Sequence, residues 1–342
     1  MASEVAAAAG ISEADVVRFD TNTTPWPPVA WEHTVLDVPR LPANEYPHPS
    51  NEPLRSALAR HVGVPPEQLV LTSGADEALH LIASAYVGPG RRAVVADPSF
   101  SMFRVTTEAS GGRLIPVPVD ETWDLPKEPL LEAVGQPRVG VVWLCSPNNP
   151  TGRLLHPKLV EAVADTVPEA LVVVDEAYYE IARQSVLPEA LRHPNVAVIR
   201  TFSKGYGLAG ARVGYVISQP EVTQALEKVR PPQNLTTFSL AAACRALADQ
   251  DGLAARVESI RAERDRLEAE LKQRGWQVVP SLANFLLAHP PAPAAAVARW
   301  LQGAGLIVRS YPAHPRLKDW LRITVRSPEE DDRLLARLRT LP

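Results

Sequence analysis

Short unbroken runs of apolar residues recur along the first two thirds of the chain, with little polar alternation inside them. The runs are QLVLTS (68–73), RAVVAD (92–97), VGVVWLCS (139–146), ALVVVDEA (170–177), VAVIRTFS (196–203) and RVGYVIS (212–218). Unbroken runs of Val, Ile and Leu suit strands that are covered on both faces, as in a mostly parallel sheet. Stretches with helical periodicity, such as EALHLIASAYV and PKLVEAVADTV, lie between several of them. This alternation predicts an α/β fold.

The pattern changes at about residue 240. The charged stretch AARVESIRAERDRLEAELKQRG has the periodicity of a long amphipathic helix, and its charges predict a solvated face. Strand-like runs NFLLAH, GLIVRS and LRITV follow, and a last helix is expected from Pro328, which together predict a smaller α+β domain. We therefore predict an extended, Pro- and Trp-rich N-terminal arm over residues 1–45 that joins the small domain, a large domain over 46–232, and the small domain over 233–342.

Charge balance and cysteine count argue against several classes of protein. The 342 residues include 35 Lys and Arg against 39 Asp and Glu, and the net charge of −4 argues against a nucleic-acid partner. No apolar run approaches the ~20 residues that a membrane helix needs. Two cysteines are too few for a disulfide framework, and the eight histidines lack ligand spacing, so we expect no metal. With an N-terminus unlike a signal peptide, these features predict a cytoplasmic location.

Polar or glycine-rich residues follow five of the predicted strands, at the point where each strand ends. The stretches are TSGADEA, PSF, SPNNPTG, DEAYYE and TFSK. In open parallel sheets, ligands bind beyond the carboxyl ends of the strands. Because five strand ends carry such residues, we expect them to form one shared site.

Three features of these stretches have a common chemical explanation. The SGAD run opens a helix and offers backbone N–H groups to a phosphate, although an ordinary helix N-cap without a ligand has the same sequence pattern. Asp175 follows three valines and must be paired if buried, in a site or in a structural ion pair. Lys204 and Arg212 are a potential imine-forming amine and a phosphate ligand, or two side chains at a domain edge. Together they meet the requirements of pyridoxal phosphate.

A set of motifs spread over nearly the whole chain resembles a known family. The motifs YPHP, SGADEAL, PSF, CSPNNPTG, VVVDEAYYE, TFSKGYGLAGARVGY, NFLL and LRITV occur in this order from Tyr46 to Val325. On these residues the chain resembles the fold-type-I, class I/II aminotransferases that use pyridoxal phosphate, and is most similar to histidinol-phosphate aminotransferases. The resemblance implies a large cofactor-binding α/β domain with a mostly parallel central sheet and a smaller α+β domain.

The resemblance also assigns roles around the cofactor. It implies that Lys204 forms the internal aldimine and then shuttles the proton as general acid and base. Asp175 is expected to pair with the pyridine nitrogen, Tyr178 and Asn149 to hydrogen-bond the ring's 3-oxygen, and Phe100 to stack on the ring face. The phosphate is expected to be held by Gly74, Ala75, Asp76, Thr201, Ser203 and Arg212.

Substrate contacts and a partner subunit are implied in the same way. Tyr46 is expected to reach the cofactor phosphate of the neighbouring subunit, which makes a homodimer the working unit. Arg322 is expected to clamp the substrate carboxylate, with Asn22, Asn149 and Arg309 as further substrate contacts. In the arm, Trp26 and Trp31 either line the pocket or anchor the arm.

The implied activity is transfer of an amino group by ping-pong steps between an amino acid or amino-alcohol phosphate, resembling histidinol phosphate, and a 2-oxo acid such as 2-oxoglutarate. Two alternatives remain open on the same scaffold. One is a decarboxylase of threonine phosphate in corrinoid synthesis, whose group shares the lysine, the aspartate and a short arm. The other is a non-catalytic sensor domain, which normally follows a DNA-binding domain that residues 1–45 are too short to form.

Overall fold

The computed structural model describes residues 2–26 and 44–341. The strands of the described residues are β1 Val17–Arg18, β2 Leu69–Thr72, β3 Arg92–Asp97, β4 Arg113–Pro118, β5 Val139–Cys145, β6 Leu171–Asp175, β7 Val196–Thr201, β8 Gly214–Ser218, β9 Gln277–Val279, β10 Phe285–His289, β11 Leu306–Ile307, β12 Arg309–Ser310 and β13 Leu321–Thr324. The helices are α1 Ala2–Ala9, α2 Leu54–Val62, α3 Gly74–Tyr86, α4 Ser101–Ala109, α5 Lys127–Val134, α6 Pro157–Thr166, α7 Tyr179–Ala182, α8 Leu187–Ala190, α9 Pro220–Glu227, α10 Thr237–Ala248, α11 Gln250–Gln273, α12 Ala294–Gln302 and α13 Pro328–Leu338.

A seven-stranded sheet forms the centre of the molecule, in the order β2-β8-β7-β6-β5-β3-β4. The strands from β7 to β4 run parallel, and β8 runs antiparallel to both of its neighbours. The predicted mostly parallel α/β sheet is confirmed, and all six predicted strands are present. Sequence analysis missed β4 because Pro116 and Pro118 interrupt it, and such residues are tolerated at the sheet edge where β4 lies.

The unbroken apolar runs are explained by layers of side chains on both faces of this sheet. All seven residues of β5 and all five of β6 are buried. Val142 and Val172 belong to the core on one face, whereas Trp143 and Val173 belong to the core on the other. Since successive residues of a strand point to opposite faces, each strand supplies both cores, and Asp175 at the end of β6 is the one charged side chain in these two strands.

A second, antiparallel sheet lies in the C-terminal part, in the order β12-β13-β10-β9. Strand β1 of the N-terminal segment pairs in parallel with β11 of the C-terminal part in a separate two-stranded sheet, with Val17 opposite Leu306. Phe19 is fully buried in the core beside this sheet. The segment before β1 differs from the predicted extended arm, because its alanine-rich stretch forms helix α1.

Helices α10 and α11 connect the cores of the two sheets. Leu240 of α10 and Ile260 of α11 pack in the core of the large sheet, whereas Leu271 packs in the core of the small one. The domain boundary between residues 232 and 233 stays a prediction. Helix α11 has the predicted solvated face, on which Glu258, Asp265 and Lys272 are exposed, whereas Arg256 and Arg264 lie on its opposite, buried face.

Two absences complete the description of the fold. Across residues 2–26 and 44–341, no helix combines the length and apolar character needed to cross a membrane. The same residues contain no group of three or more His, Cys, Asp or Glu side chains placed to hold a metal ion.

Candidate active site

A cavity of about 310 Å³ lies beyond the carboxyl ends of the central strands. Most of the residues singled out from the sequence line it together: Asn22, Ala75, Asp76, Phe100, Asn149, Asp175, Tyr178, Thr201, Ser203, Lys204, Arg212 and Arg322. They come from both ends of the chain and from five strand ends of the large sheet. The expectation that the strand ends share one site thus matches the geometry.

Lys204 follows β7 and presents its amine inside this cavity. Its Nζ donates a hydrogen bond to the backbone oxygen of Asn22 over 2.9 Å. Desolvation and, to a smaller degree, the nearby charge of Arg322 lower the pKa of Lys204 to about 8, while the charge of Asp175 opposes the shift. An amine with such a pKa is neutral, and therefore nucleophilic, in a much larger fraction of molecules near pH 7 than an ordinary lysine is.

Asp175 is the last residue of β6 and is buried at the floor of the cavity. Burial raises the pKa of its carboxyl to about 7, while the backbone N–H of Ala177, which donates to Oδ1 over 2.9 Å, and the charge of Lys204 oppose the rise. A buried carboxylate with so little local compensation is stabilised by a cationic or N–H partner arriving in the cavity.

Arg212 and two hydroxyl groups form a polar wall beside the N-terminus of α3. The Thr201 hydroxyl donates to Oγ of Ser203 over 2.9 Å, and Nη1 of Arg212 lies 3.4 Å from the same Ser203 oxygen. Nη2 of Arg212 forms an ion pair with the Asp76 carboxylate at 3.0 Å. Hydroxyl groups, a guanidinium and a helix N-terminus are the groups that bind phosphate in proteins.

Arg322 on β13 closes another wall of the cavity. Its Nη1 donates to Oδ1 of Asn149 over 2.7 Å, and its Nη2 donates to the backbone oxygen of Asp20 over 2.6 Å. Its Nε is buried and has no hydrogen-bond partner among the described residues. The guanidinium is therefore fixed in position but retains a donor, which suits recognition of a planar anion such as a carboxylate.

Asn22 joins the N-terminal segment to this site through four hydrogen-bonding groups. Its side-chain Nδ2 donates to the hydroxyl of Tyr178 over 3.1 Å, and its Oδ1 accepts from the hydroxyl of Thr324 over 3.0 Å. Its backbone N–H donates to the same Thr324 oxygen, and its backbone oxygen accepts from Asn284 as well as from Lys204. Burial raises the pKa of Tyr178, so its hydroxyl stays protonated.

Comparison with known proteins identifies this arrangement. The family model "Aminotransferase class I and II" matches residues 17–338. This chain belongs to the class I and II aminotransferases. A histidinol-phosphate aminotransferase of Frankia casuarinae is 39% identical, covering 97% of this chain and 87% of that protein. An aromatic amino acid aminotransferase of Cutibacterium acnes is 40% identical over 80% of this chain and 78% of its own length.

A solved structure extends the likeness to the fold and the cofactor. Histidinol-phosphate aminotransferase from Sinorhizobium meliloti, in complex with pyridoxal-5′-phosphate, has a TM-score of 0.90 and 31% identity to this chain, covering 100% of it and 95% of the other chain. This aminotransferase accordingly has the fold of the fold-type-I enzymes, and its cofactor is pyridoxal phosphate.

Some residues singled out from the sequence lie outside the cavity lining of this aminotransferase. Gly74 lies behind it, against Arg212. Tyr46 is 87% exposed, and Arg309 is exposed on β12 opposite Arg322. Their roles stay predictions. Trp26 packs against the core of the large sheet, as an anchor of the arm would, and Trp31 lies outside the described residues.

Sequence reasoning missed two residues that position others. Asn284 and Thr324 were quoted only as parts of NFLL and LRITV, yet both are fully buried and bind Asn22. A polar residue inside an otherwise apolar strand motif was the available signal, because a buried polar group needs a partner.

Proposed function

We propose that this aminotransferase moves the amino group of histidinol phosphate, or of a closely related amine, to a 2-oxo acid such as 2-oxoglutarate. The relatives from Frankia and Sinorhizobium carry the name of that activity. The observation that carries the proposal is the meeting of the Lys204 amine, the Asp175 carboxylate and the Arg322 guanidinium in one cavity.

The residues around the cavity fit pyridoxal phosphate. A Cβ atom at Gly74 would lie 2.5 Å from Nη2 of Arg212, so a glycine is needed for the guanidinium to stay beside the N-terminus of α3. Arg212 and Ser203 would hold the phosphate there, Asp175 would pair with the pyridine nitrogen, and Phe100 would lie on the ring face. When bound, the cofactor supplies the carbonyl carbon for the amino group and a ring that takes up electron density.

Lys204 performs the proton transfer in this proposal. Its Nζ acts first as a general base that removes the proton from Cα of the amino donor. In the second half-reaction it acts as a general acid that gives a proton to Cα of the new amino acid. The lowered pKa suits both tasks near neutral pH. The hydrogen bond to the backbone oxygen of Asn22 holds Nζ inside the cavity, and Asn284 fixes that oxygen in turn.

Arg322 and Tyr178 orient the groups that react. Arg322 binds the carboxylate of the 2-oxo acid, since it lines the cavity and its position is set by Asn149. The protonated hydroxyl of Tyr178, held by Asn22, is placed to donate a hydrogen bond to a ring oxygen. These contacts fix orientation, which is a major source of rate enhancement in bimolecular chemistry.

We also propose that the working unit is a cytoplasmic homodimer. Tyr46 is exposed and is not among the residues that line the cavity of its own chain, which suits a contact with a second copy of the chain. The exchange of one small substrate for another in a single cavity also supports ping-pong kinetics.

A donor panel tests the proposed reaction. Enzyme loaded with pyridoxal phosphate is mixed with 2-oxoglutarate and, separately, histidinol phosphate, histidinol, phenylalanine or tyrosine, and glutamate formation is measured. We expect the highest kcat/KM with histidinol phosphate, and the matched pair with histidinol isolates the contribution of the phosphate.

Other outcomes of the panel are equally informative. Preference for phenylalanine or tyrosine would assign the activity named for the Cutibacterium relative instead. In a separate assay with threonine phosphate, release of carbon dioxide without glutamate formation would favour the decarboxylase. Amino transfer from no donor at all would disprove the proposal.

A further inference from the structure

A second cavity, of about 470 Å³, lies at the amino ends of strands β3, β4 and β5, on the side of the large sheet opposite to the catalytic cavity. Arg92 and Arg113 are the first residues of β3 and β4 and lie side by side in register, and Arg91 and Arg138 immediately precede β3 and β5. The rest of the lining is Pro and Gly, without an acidic residue. Four arginines therefore line one cavity in a chain whose net charge is −4.

Within the described residues, none of these four arginines pairs with a carboxylate. Arg92 donates to the neutral side chain of Gln136 over 2.9 Å. By contrast, Arg104 pairs with Glu108 at 3.3 Å on the neighbouring helix. The like charges repel one another, and an anion in the cavity would remove that repulsion.

We propose that this cavity binds a compact polyphosphate anion, either an inorganic chain or the phosphate chain of a nucleotide. Guanidinium groups bind phosphate oxygens in a bidentate manner, and four of them exceed what a single phosphate can neutralise. Gly90 and Gly111, with φ of +81° and +79°, form part of the wall without side chains, so the anion can approach the backbone.

The site is separate from the catalytic cavity. Strand β3 starts at the arginines and ends at Asp97, three residues before Phe100, so the length of the strand lies between the two cavities. Six residues of extended chain span about 17–20 Å. Binding at the arginines is therefore expected without displacement of pyridoxal phosphate.

Calorimetric titration of the cofactor-loaded enzyme with tripolyphosphate at low salt tests the proposal. We expect one binding event per chain, with no change in cofactor absorbance. The variant Arg91→Gln/Arg113→Gln is expected to bind at least ~10-fold more weakly, because two charge-assisted contacts are lost. The matched control, Arg104→Gln/Arg192→Gln, removes the same charge from exposed pairs elsewhere and should bind within ~2-fold of the parent.

Titrations with ATP and with adenosine distinguish the two sources of the anion. Equal affinity for ATP and tripolyphosphate supports recognition of the phosphate chain alone, and ATP binding at least ~10-fold tighter supports a nucleotide. Three results would overturn the proposal: no binding of tripolyphosphate to the parent enzyme, undiminished binding to Arg91→Gln/Arg113→Gln, or an equal loss in the control variant. Thermal melting of each variant establishes that it is folded.

Discussion

At the level of one residue, the lowered pKa of Lys204 predicts how its reaction with the cofactor depends on pH. Below pH 8 the folded protein holds Lys204 mainly as an ammonium ion, which cannot attack a carbonyl, and above pH 8 mainly as the amine. We expect the rate at which cofactor-free protein bonds covalently to pyridoxal phosphate to rise with pH, with a midpoint near 8 rather than near the ordinary lysine value of 10.5. Stopped-flow absorbance between pH 6 and about 10 measures it.

The control for this profile is Lys204→Ala, which should show no covalent bonding at any pH and no turnover while its circular dichroism stays that of the parent. A midpoint above about 10 would mean that desolvation of Lys204 is relieved in solution. Wild-type rates in Lys204→Ala would contradict the assignment of the reactive amine.

Individual site residues were predictable from sequence only where a motif carries them. Lys204, Asp175 and Arg212 each follow or adjoin a strand of unmistakable apolar character, so their positions at the sheet edge follow from the pattern. The hydrogen bonds from Thr324 and Asn284 to Asn22 span 302 and 262 residues of sequence. Such contacts depend on how the two sheets pack, and no local periodicity encodes that.

At the level of elements, the contact between the start of α3 and the turn before β8 sets the phosphate wall. Gly74 has φ of +75°, and a Cβ atom there would lie 2.5 Å from Nη2 of Arg212. We expect Gly74→Ala to displace the guanidinium and weaken pyridoxal-phosphate affinity by about 10-fold or more, as loss of a charge-assisted hydrogen bond would. Equilibrium titration of cofactor-free protein measures the change.

Gly63→Ala is the matched control for that substitution. Gly63 ends α2 with a similar φ of +79°, but a Cβ atom there meets nothing within 4 Å. Both variants share the strain of a left-handed alanine, of about 1 kcal/mol, so both should lose similar stability. Equal losses of cofactor affinity in the two variants would show that the contact with Arg212 is not the cause.

A buried ion pair ties β6 to β7 just behind the catalytic residues. Arg200 and Glu176, with side chains 4% and 1% exposed, approach to 3.0 Å, and Ser185 binds both oxygens of the carboxylate. We expect Glu176→Gln to lower the free energy of unfolding by about 3–5 kcal/mol, because the Arg200 charge is left buried without its partner. Urea denaturation of the cofactor-loaded enzyme measures this loss.

The comparison variant is Glu161→Gln, which breaks the exposed pair with Arg192. This substitution should lower the free energy of unfolding by at most about 1 kcal/mol, since solvent screens exposed ion pairs. If the two substitutions lowered the free energy of unfolding equally, burial would not determine how much the pair of Glu176 and Arg200 stabilises the fold.

Strands were predictable from sequence where both faces of the sheet are buried, and helices and edge strands were less predictable. The six apolar runs gave strands because both faces are covered, whereas β4 at the sheet edge tolerates prolines that conceal it. Helix α11 is charged enough to suggest a surface, yet Arg264 and Glu263 are buried. The charges correctly predict that one face of the helix is solvated, but which charged residues lie on the opposite, buried face is a property of the tertiary structure.

At the scale of the whole molecule, the proposed homodimer predicts that inactive subunits complement one another. If Tyr46 serves the partner's site, a mixed dimer of Lys204→Ala and Tyr46→Ala subunits contains one site with neither residue and one site with both. The second site is intact, so adding inactive Lys204→Ala chains should raise the activity of Tyr46→Ala protein. Co-expression with two affinity tags isolates the mixed dimer.

The exposure of Tyr46 makes this outcome decisive. Its side chain is 87% exposed and absent from the lining of its own cavity, as expected of a residue that serves the site of a second copy. If Tyr46 instead acted within its own chain, each site of the mixed dimer would lack one residue, and activity would not exceed that of Tyr46→Ala alone. A mixed dimer with one fully active site therefore requires a site built from two copies of the chain.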